Sequence, residues 1–413
     1  MMCRPSVLRL SSVGTEGSGI ESSASLRQRF ENAPLLSLGF RPFYLLAAVF
    51  ALLGVPVWIM FWLGVVEPGT YLAGMAWHGH EMVFGFAAAV ITGFLLTAVR
   101  NWTSLPTPTG VMLAGLALLW LLARVLMLTG PGALAAAVDT ALLPALGVAI
   151  GVPIWRSRNT RNYKILLLLA ALMGLNVLFH LAHLNVVSAS LERTALLGAL
   201  DLIAILIAVV GGRVIPAFTE NAFPALRLQR VMAVETVAVG ALVLVFVAGL
   251  LRPWFALPGV AWVALLALAA AAHFARLMLW QPLKTRRNPL LWMLPAAYAW
   301  IPVALMLRAL AEAGKISPIA ATHALTIGAM TGMMMAMVMR SALGHTGRPL
   351  AAGPAEIAAF LLVQLAAMVR VFAGILWPES YQVTVMASGV LWSLAFAVFL
   401  VRFAPMLARA RVS

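Results

Sequence analysis

Long apolar stretches of about 20 residues recur along the chain, separated by short segments that contain Arg, Lys, Pro or Gly. A helix needs about 20 apolar residues to cross a bilayer, whereas a transmembrane strand needs about 10 residues of alternating polarity. The pattern therefore predicts an all-α, polytopic membrane protein with about twelve transmembrane helices. In chain order, the predicted spans 1 to 12 cover residues 40–64, 75–99, 110–129, 133–154, 164–187, 194–215, 231–251, 256–280, 289–311, 318–340, 354–377 and 381–407.

The overall composition is also that of a membrane protein. Hydrophobic residues make up 63% of the 413 positions, charged residues make up 10%, and the mean hydropathy is +0.99. A soluble domain contains about 25% charged residues. Residues 36–413 are therefore interpreted as a single helical transmembrane domain in contact with membrane lipid.

The net charge of +15 comes from basic residues that are dispersed among short loops. Lys and Arg concentrate in the cytoplasmic loops of membrane proteins, so this charge predicts orientation and not nucleic-acid binding. With the N and C termini in the cytoplasm, most of the 28 Lys and Arg residues lie on the cytoplasmic side. The exceptions, toward the outer side, are Arg124, Arg193, Arg252, Arg308, Lys315 and Arg370.

Residues 1–35 are rich in Ser, Gly and charged residues and lack a long apolar core. This composition predicts a disordered cytoplasmic tail and not a signal peptide. The loops after spans 4 and 8 are similar to each other, and spans 2, 6 and 10 each end in Arg. These similarities suggest three four-helix arcs, although loops at the inner ends of spans commonly look alike.

Five of the seven histidines are predicted to share one layer in the outer third of the membrane, namely His78, His80, His180, His183 and His323. His78 and His80 lie about 200° apart around a helix, so they are expected to face different partners unless the helix unwinds there. His180 and His183 share one face, as two ligands of a single ion would. For any one of these histidines, an interhelical hydrogen bond is the alternative.

The single cysteine, Cys3, lies in the tail, so any metal must use His, Met, carboxylate or cofactor ligands. Met330 and Met337 share the helix face of His323. Thioethers bind Cu(I), but Met-rich helices more often provide adaptable packing, including packing against a porphyrin. The other two histidines lie nearer the cytoplasmic side and are predicted to be structural: His273 and His345.

Charged residues occur at the same depth as the five histidines. Buried arginines require anions, and heme propionates are candidates. For Arg124, an ion pair with Asp139 is the alternative. Arg308 and Arg370 have no evident partner in the sequence. The full set in the outer half of the predicted spans is Glu81, Asp139, Asp201, Arg124, Arg308 and Arg370.

Several motifs together resemble the NnrS family, heme- and copper-containing membrane proteins linked to nitric oxide metabolism in bacteria. The resemblance implies heme b and copper as cofactors, the bacterial inner membrane as location, and binding or reduction of nitric oxide as protection against nitrosative stress. An electron donor is implied but not identified. The motifs are Phe40-Arg41-Pro42-Phe43, Trp77-His78-Gly79-His80-Glu81-Met82, Gly93-Phe94-Leu95-Leu96-Thr97-Ala98, Asn101-Trp102-Thr103, Gly211-Gly212-Arg213-Val214-Ile215-Pro216, His323-Ala324-Leu325-Thr326 and Gly344-His345-Thr346-Gly347-Arg348.

A looser architectural likeness is to the catalytic subunit of heme-copper oxidases, which has twelve spans in three arcs and heme ligands on spans 2 and 10. By this resemblance His80 and His323 would bind heme, and His180 with His183 would bind copper. The departures are a single histidine on span 10, copper ligands on span 5 and the absence of a His-Pro-Glu-Val-Tyr element. Oxygen reduction coupled to proton pumping is therefore not expected.

The resulting hypothesis is a heme and copper protein that binds or reduces nitric oxide. Glu81 would carry protons or orient a ligand. Two alternatives remain: a non-catalytic heme or copper sensor, carrier or assembly factor, and a secondary transporter. The cofactor-binding candidates are His80, His323, Arg308 and Arg370, and the metal-ligand candidates are His78, His80, His180, His183 and His323.

Overall fold

The computed structural model describes residues 23–67, 69 and 71–412, and in this part of the chain every regular element is a helix. Twelve helices are long and apolar enough to cross a membrane, which confirms the predicted fold class and count. The sidedness of the termini and the grouping into three arcs stay predictions. The spans are Phe40–Trp62, Gly74–Thr103, Gly110–Thr129, Gly132–Arg156, Thr160–His183, Ser190–Ala222, Met232–Leu251, Gly259–Leu279, Pro289–Glu312, Pro318–His345, Pro354–Leu376 and Pro378–Ala408.

The predicted tail falls partly outside the described residues, which begin at residue 23. The described part contains a helix, Ser23–Asn32, and a short 3-10 turn, Pro34–Leu36, immediately before span 1. Within the predicted tail, the structure therefore has helical turns in these two segments. The prediction for residues 1–22 concerns positions that the structure leaves undescribed.

Proline marks the start of several spans. Pro289, Pro318 and Pro354 each occupy the first turn of a helix, where the missing N–H would have no helical partner and the fixed φ angle suits the helix. Before span 10, the Ser317 hydroxyl also accepts a hydrogen bond from the Ile319 N–H. These local signals explain why the observed starts lie close to those predicted from the sequence.

Span 2 is the central helix of the bundle. In its most apolar 18-residue stretch 94% of the residues are buried, against 22% in span 7 and 28% in span 3. Residues on every side of span 2 therefore contact protein, including the polar side chains at its start. This enclosure means that His78 and His80 both face other helices and not lipid.

Three spans change to π-helical winding near one end of the bundle. The segments are Glu81–Ala87 in span 2, Ala324–Thr331 in span 10 and Val369–Ala373 in span 11. π-helical turns are rare and often occur at functional sites. The sequence pattern did not predict them, because the wider turn leaves the apolar character of the stretch unchanged. Each lies beside a predicted site residue.

His273 has a structural role, as predicted. Its Nε2–H donates to the Ala238 carbonyl at 3.0 Å, and its Nδ1 lies 2.6 Å from the Tyr298 hydroxyl. The buried Arg276 donates to that hydroxyl and to the Ala208 carbonyl, each at 2.8 Å, and pairs with Glu235. These contacts join spans 6 to 9.

His345 is the last residue of span 10 and not a loop residue, because the helix continues five residues beyond the predicted end at 340. Its ring packs against the Phe40 ring, with centroids 5.5 Å apart. This contact joins the start of span 1 to the end of span 10. It leaves the prediction of a structural residue unchanged.

Gly212 is expected to be the glycine of the Gly211-Gly212 pair that cannot be replaced. A Cβ at Gly212 would overlap the Arg276 guanidinium, whose hydrogen bonds and ion pair resist any shift. We expect Gly212→Ala to lower the free energy of unfolding by about 1 to 3 kcal/mol, the usual cost of overpacking. Unfolding by a denaturing detergent measures it.

The adjacent substitution Gly211→Ala is the control. Its Cβ would lie 3.6 Å from the Tyr298 ring, which is an ordinary contact. Alanine favours the helix over glycine by about 0.5 to 1 kcal/mol at both positions, so only the overlap differs. Equal stability of the two variants would contradict the packing of Arg276 against Gly212.

Candidate functional site

A cavity of about 600 Å³ lies at the end of the bundle where the even-numbered spans begin, which is the predicted outer end. Spans 1, 2, 6, 10, 11 and 12 contribute to its walls. Apolar side chains form most of the lining, and two histidines, two arginines and Glu192, which contacts His183, reach it. The polar members of this His78 cavity that concern a ligand are His78, His323, Arg370 and Arg193.

His78 lies on the span 2 wall of the cavity. Its ring stacks on Trp58 of span 1, with ring centroids 4.2 Å apart and planes 26° apart. Its Nδ1 is buried and has no hydrogen-bond partner among the described residues. A buried polar nitrogen without a partner is costly, so the ring is held by packing while this atom stays available to a ligand.

His323 lies across the cavity, on span 10. Its Nδ1 is 2.9 Å from the Ile319 carbonyl oxygen. A carbonyl only accepts hydrogen bonds, so Nδ1 carries the proton and the Nε2 lone pair remains free. Metal-binding histidines are commonly oriented by this kind of hydrogen bond to a backbone carbonyl. The tautomer of His323 with the proton on Nδ1 therefore suits coordination of a metal by Nε2.

Arg370 brings positive charge to the same cavity. The side chain is buried, donates to the Tyr381 hydroxyl at 2.6 Å and lies over the Tyr381 ring. The Tyr381 hydroxyl is neutral, so this contact leaves the positive charge of Arg370 uncompensated. Arg193, which is more exposed, has no ion-pair partner among the described residues and lines the cavity as well. Two arginines without carboxylate partners can hold the carboxylates of a ligand.

Arg308 does not belong to this cavity, which corrects the prediction that it would act beside Arg370. Its guanidinium donates to both Asp201 oxygens, at 2.8 and 3.1 Å. Both residues line a neighbouring cavity of about 550 Å³. This pair was not visible in the sequence, because the partners are 107 positions apart.

His80 faces away from the cavity, toward spans 3, 4 and 5. It is fully buried, and its Nδ1 lies 3.1 Å from Glu81 Oε1. Its Nε2 lies 3.1 Å from Asn176 Oδ1 and 3.3 Å from Asp139 Oδ2. All these oxygens are acceptors, because the Asn176 amide nitrogen donates to Asp139 at 2.8 Å. The ring therefore lies in an environment that favours a cation.

His180 completes this group from span 5. Its Nε2 lies 3.1 Å from Asp139 Oδ2, and its Nδ1 lies 2.8 Å from the Tyr71 hydroxyl. Tyr71 lies outside the spans, where burial, and secondarily the charge of Glu192, raises its pKa to about 12. The hydroxyl therefore stays protonated at neutral pH and donates to Nδ1, which leaves Nε2 directed at Asp139.

Arg124 lies between the two buried carboxylates, pairing with Glu81 and with Asp139. The alternative reading of Arg124 as a partner of Asp139 is therefore confirmed, with Glu81 as a second partner. Two carboxylates and one guanidinium leave one negative charge uncompensated. Buried charge of this kind is expensive, so an additional proton or a metal ion is needed for neutrality.

Three of these side chains can hold a metal. Nitrogen atoms of His80 and His180 and an oxygen of Asp139 all lie within 4.8 Å of one another, and all three residues are buried. Two imidazoles and one carboxylate form a donor set that suits copper, zinc or iron. We call this group, His80, Asp139 and His180, the metal cluster.

The structure therefore changes the pairing of the predicted ligands. His80 and His323 do not face one another, and His78 takes the place of His80 opposite His323. The reason is the helical turn of about 200° between positions 78 and 80, which sends the two rings to opposite sides of span 2.

His183 does not join His180 in a common site. Its Nδ1 lies 2.9 Å from Glu192, and its Nε2–H donates to the Tyr71 carbonyl at 3.0 Å. His183 also lies outside the group of described residues whose possible ligand atoms are all within 4.8 Å of one another, which is His80, Asp139 and His180. A helix face shared with His180 is therefore not enough to place His183 in the same site. Its contacts are with Tyr71 in a loop and with Glu192 at the start of span 6.

Glu81 is also placed differently from a proton carrier for the His78 cavity. It is fully buried, contacts His80 and Arg124, and does not line the cavity. Of the two roles considered, orienting a ligand is the one that its contacts support, since Oε1 approaches the Nδ1 of His80.

Sequence reasoning missed Asn176, Tyr71 and Trp58, which orient the histidines. Asn176 precedes His180 by four positions, so it lies on the same helix face, and that spacing was a usable signal. Tyr71 and Trp58 had no comparable signal in the sequence. Tyr71 lies in a loop, and Trp58 is one of 13 tryptophans in an apolar chain.

Comparison with protein-family models assigns the chain to a family. The family description NnrS protein matches residues 34–411, which is nearly the whole chain. The chain belongs to the NnrS family. No curated protein matches the sequence. Membership of the NnrS family is consistent with a membrane protein related to nitric oxide, and both the His78 cavity and the metal cluster lie inside the matched region.

Removal of the Arg124 charge is expected to destabilise this NnrS protein strongly. In Arg124→Gln, Glu81 and Asp139 remain buried without their cation, and breaking a buried ion pair costs about 3 to 5 kcal/mol. Unfolding by a denaturing detergent measures the loss.

The matched control is Arg252→Gln, which removes the same charge from a partly exposed pair with Glu312. Such pairs contribute about 0 to 1 kcal/mol. A shift no larger in Arg124→Gln than in Arg252→Gln would show that Arg124 does not compensate the cluster.

Proposed function

We propose that this protein binds nitric oxide at a heme b held in the His78 cavity, with copper in the metal cluster. The observation that carries the proposal is the pair of available imidazole nitrogens, on His78 and His323, that line one cavity. Membership of the NnrS family supports the connection to nitric oxide. The location that goes with this function is the bacterial inner membrane.

The residues present fit a heme. A cavity of about 600 Å³ lies within the range of roughly 300 to 1,000 Å³ found for small-molecule sites. The walls are mostly apolar, as a porphyrin requires, and Met82 and Met330 contribute soft, adaptable contacts. Arg370 and Arg193 supply cations for two propionates. His323 offers a free Nε2, and His78 has an unpartnered Nδ1.

The two histidines differ in how firmly they are held. His323 is anchored by its hydrogen bond to the Ile319 carbonyl, which also raises the basicity of the free nitrogen. His78 is oriented by stacking on Trp58 and has no hydrogen bond at Nδ1. His323 would therefore be the more firmly held ligand of a bound heme in this proposal, and His78 would offer a second, less constrained imidazole beside the same cavity.

The residues of the metal cluster fit a copper ion. His80, Asp139 and His180 supply the ligands, while Glu81 and Arg124 hold the first two in position. A bound cation would also neutralise the excess negative charge of the cluster. Copper is proposed because the family resemblance implies it; zinc and iron suit the same donors.

When bound, a ferrous heme supplies direct coordination of nitric oxide, and a copper ion supplies a one-electron redox centre. The protein residues bind these groups, exclude water by the apolar cavity walls and keep the charge of the cluster balanced. Reduction to nitrous oxide would consume two molecules of nitric oxide, two electrons and two protons. The electron donor is a separate partner in this proposal.

The heme proposal is tested by optical spectra of the purified, reduced protein before and after addition of nitric oxide. We expect a Soret band that shifts with nitric oxide. His323→Ala should lose the heme, whereas His78→Ala should keep it with a changed coordination spectrum. His345→Ala, at the other end of span 10, is the control and should leave the spectrum unchanged.

Two results would overturn the heme proposal. One is the absence of a Soret band from folded protein prepared with heme available. The other is retention of an unchanged heme spectrum in His323→Ala. Loss of heme in both His80→Ala and His323→Ala, with an unchanged spectrum in His78→Ala, would restore the ligand pair predicted from the sequence.

The copper proposal is tested by metal analysis of the same preparations for copper, zinc and iron. His180→Ala and Asp139→Asn should each lose the copper and keep the heme, because both side chains belong to the metal cluster. His183→Ala should keep both, since its nitrogens are engaged with Glu192 and Tyr71. Copper content unaffected by both cluster variants would refute the site.

A third measurement decides between turnover and binding alone. Nitrous oxide is followed with an artificial electron donor and excess nitric oxide. Production that exceeds one equivalent and is lost in His323→Ala would establish reduction. Binding without product would identify a sensor or carrier.

A further inference from the structure

An apolar pocket lies directly below the His78 cavity, between spans 1, 2, 6 and 10. Its volume is about 70 Å³, and its lining is almost wholly hydrocarbon and thioether. A second pocket of about 20 Å³ continues sideways between spans 2, 5 and 6 and has an entirely apolar lining. The two pockets share Ile91, Ile203 and Leu206.

The larger pocket continues the cavity above it, one helical turn further along three spans. On span 2, Phe86 lines the cavity and Val90 lines the pocket. On span 6 the corresponding residues are Leu200 and Ile203, and on span 10 they are Met330 and Met333. One turn is about 5.4 Å and no described residue lines both spaces, so the pocket lies one layer of side chains away from the cavity.

The smaller pocket reaches the lipid-facing surface. Its lining includes Leu168 of span 5 and Leu206 of span 6, both of which are only partly buried. The neighbouring Leu167 is 71% exposed and so faces the surroundings of the bundle. The three spaces therefore form a line from the bilayer, between spans 5 and 6, to His78 and His323.

The apolar lining of the pockets determines which molecules can pass through them. Apolar cavities stay dry and bind apolar guests such as xenon, and about 10 to 15 Å³ already accommodates one small molecule. Water, protons and ions would lose their hydrogen bonds here without compensation. A small uncharged diatomic gas loses little, and such gases are more soluble in hydrocarbon than in water.

We infer that a small apolar gas reaches the His78 cavity from the bilayer along these two pockets, past Ile91 and Ile203. The inference names the access route of the substrate and rests on the proposed function for the identity of that gas as nitric oxide. Ile91 and Ile203 border both pockets, so they separate the bilayer side from the cavity side.

The experiment enlarges or reduces the side chain at Ile203. In the reduced protein, carbon monoxide or nitric oxide is photodissociated and the bimolecular rebinding rate is followed optically. Ile203→Phe should slow this rate by about tenfold, because the larger ring fills the junction. Ile203→Ala should leave it unchanged or raise it. The static heme spectrum should be the same in all variants.

Ile150→Phe is the matched control, since Ile150 is equally buried on span 4 but lines neither pocket. It should rebind gas at the wild-type rate. Rebinding by folded Ile203→Phe at the wild-type rate would overturn the route. Slowing of the same size in Ile150→Phe would also overturn it, because the effect would then be general.

Xenon separates this inference from the proposed function, because its binding needs no heme. Xenon NMR of the purified protein should show a bound component that Ile203→Phe reduces and Ile150→Phe does not. A protein without a Soret band that still binds xenon in this way would refute the heme and keep the apolar pockets. Absence of bound xenon from all variants would refute the pockets as a gas site.

Discussion

The buried ion group around Arg124 is the constraint on which the site depends. Glu81 and Asp139 lie on spans 2 and 4, in surroundings where an unpaired carboxylate would be costly. Arg124 of span 3 pairs with both and compensates one of the two charges, and the three helices must therefore pack with these positions at one depth. His80 and His180 both approach Asp139 Oδ2, the oxygen that Arg124 leaves free, and His80 also approaches Glu81 Oε1, which Arg124 contacts as well.

Span 2 serves two sites because its helix presents consecutive polar residues to opposite sides. His78 faces the large cavity, whose walls are mostly apolar and include two arginines that could bind an anionic ligand. His80 faces an enclosed polar group with one excess negative charge. The π-helical segments of spans 2 and 10 directly follow His80 and His323, and that of span 11 contains Arg370.

Much of the fold could be predicted from the sequence, because hydrocarbon leaves the backbone few alternatives to a helix. Span starts at Pro289, Pro318 and Pro354 were visible as local signals. Membership of the layer of polar residues was also visible, since depth follows from a fixed rise per residue. The direction in which each histidine ring of span 2 points was harder to predict, because both rings lie inside the bundle and either of them could face span 10.

The sequence by itself determined the number of spans, the layer in which His78, His80 and His323 lie, and the opposite facing of the first two. Only the tertiary structure decided which of them meets His323, that Arg308 pairs with Asp201, and that His183 is taken by Glu192. The physical reason is that depth and facing are properties of one helix. Pairing depends on which faces of different helices pack together, and interactions across 100 or more positions leave no local pattern.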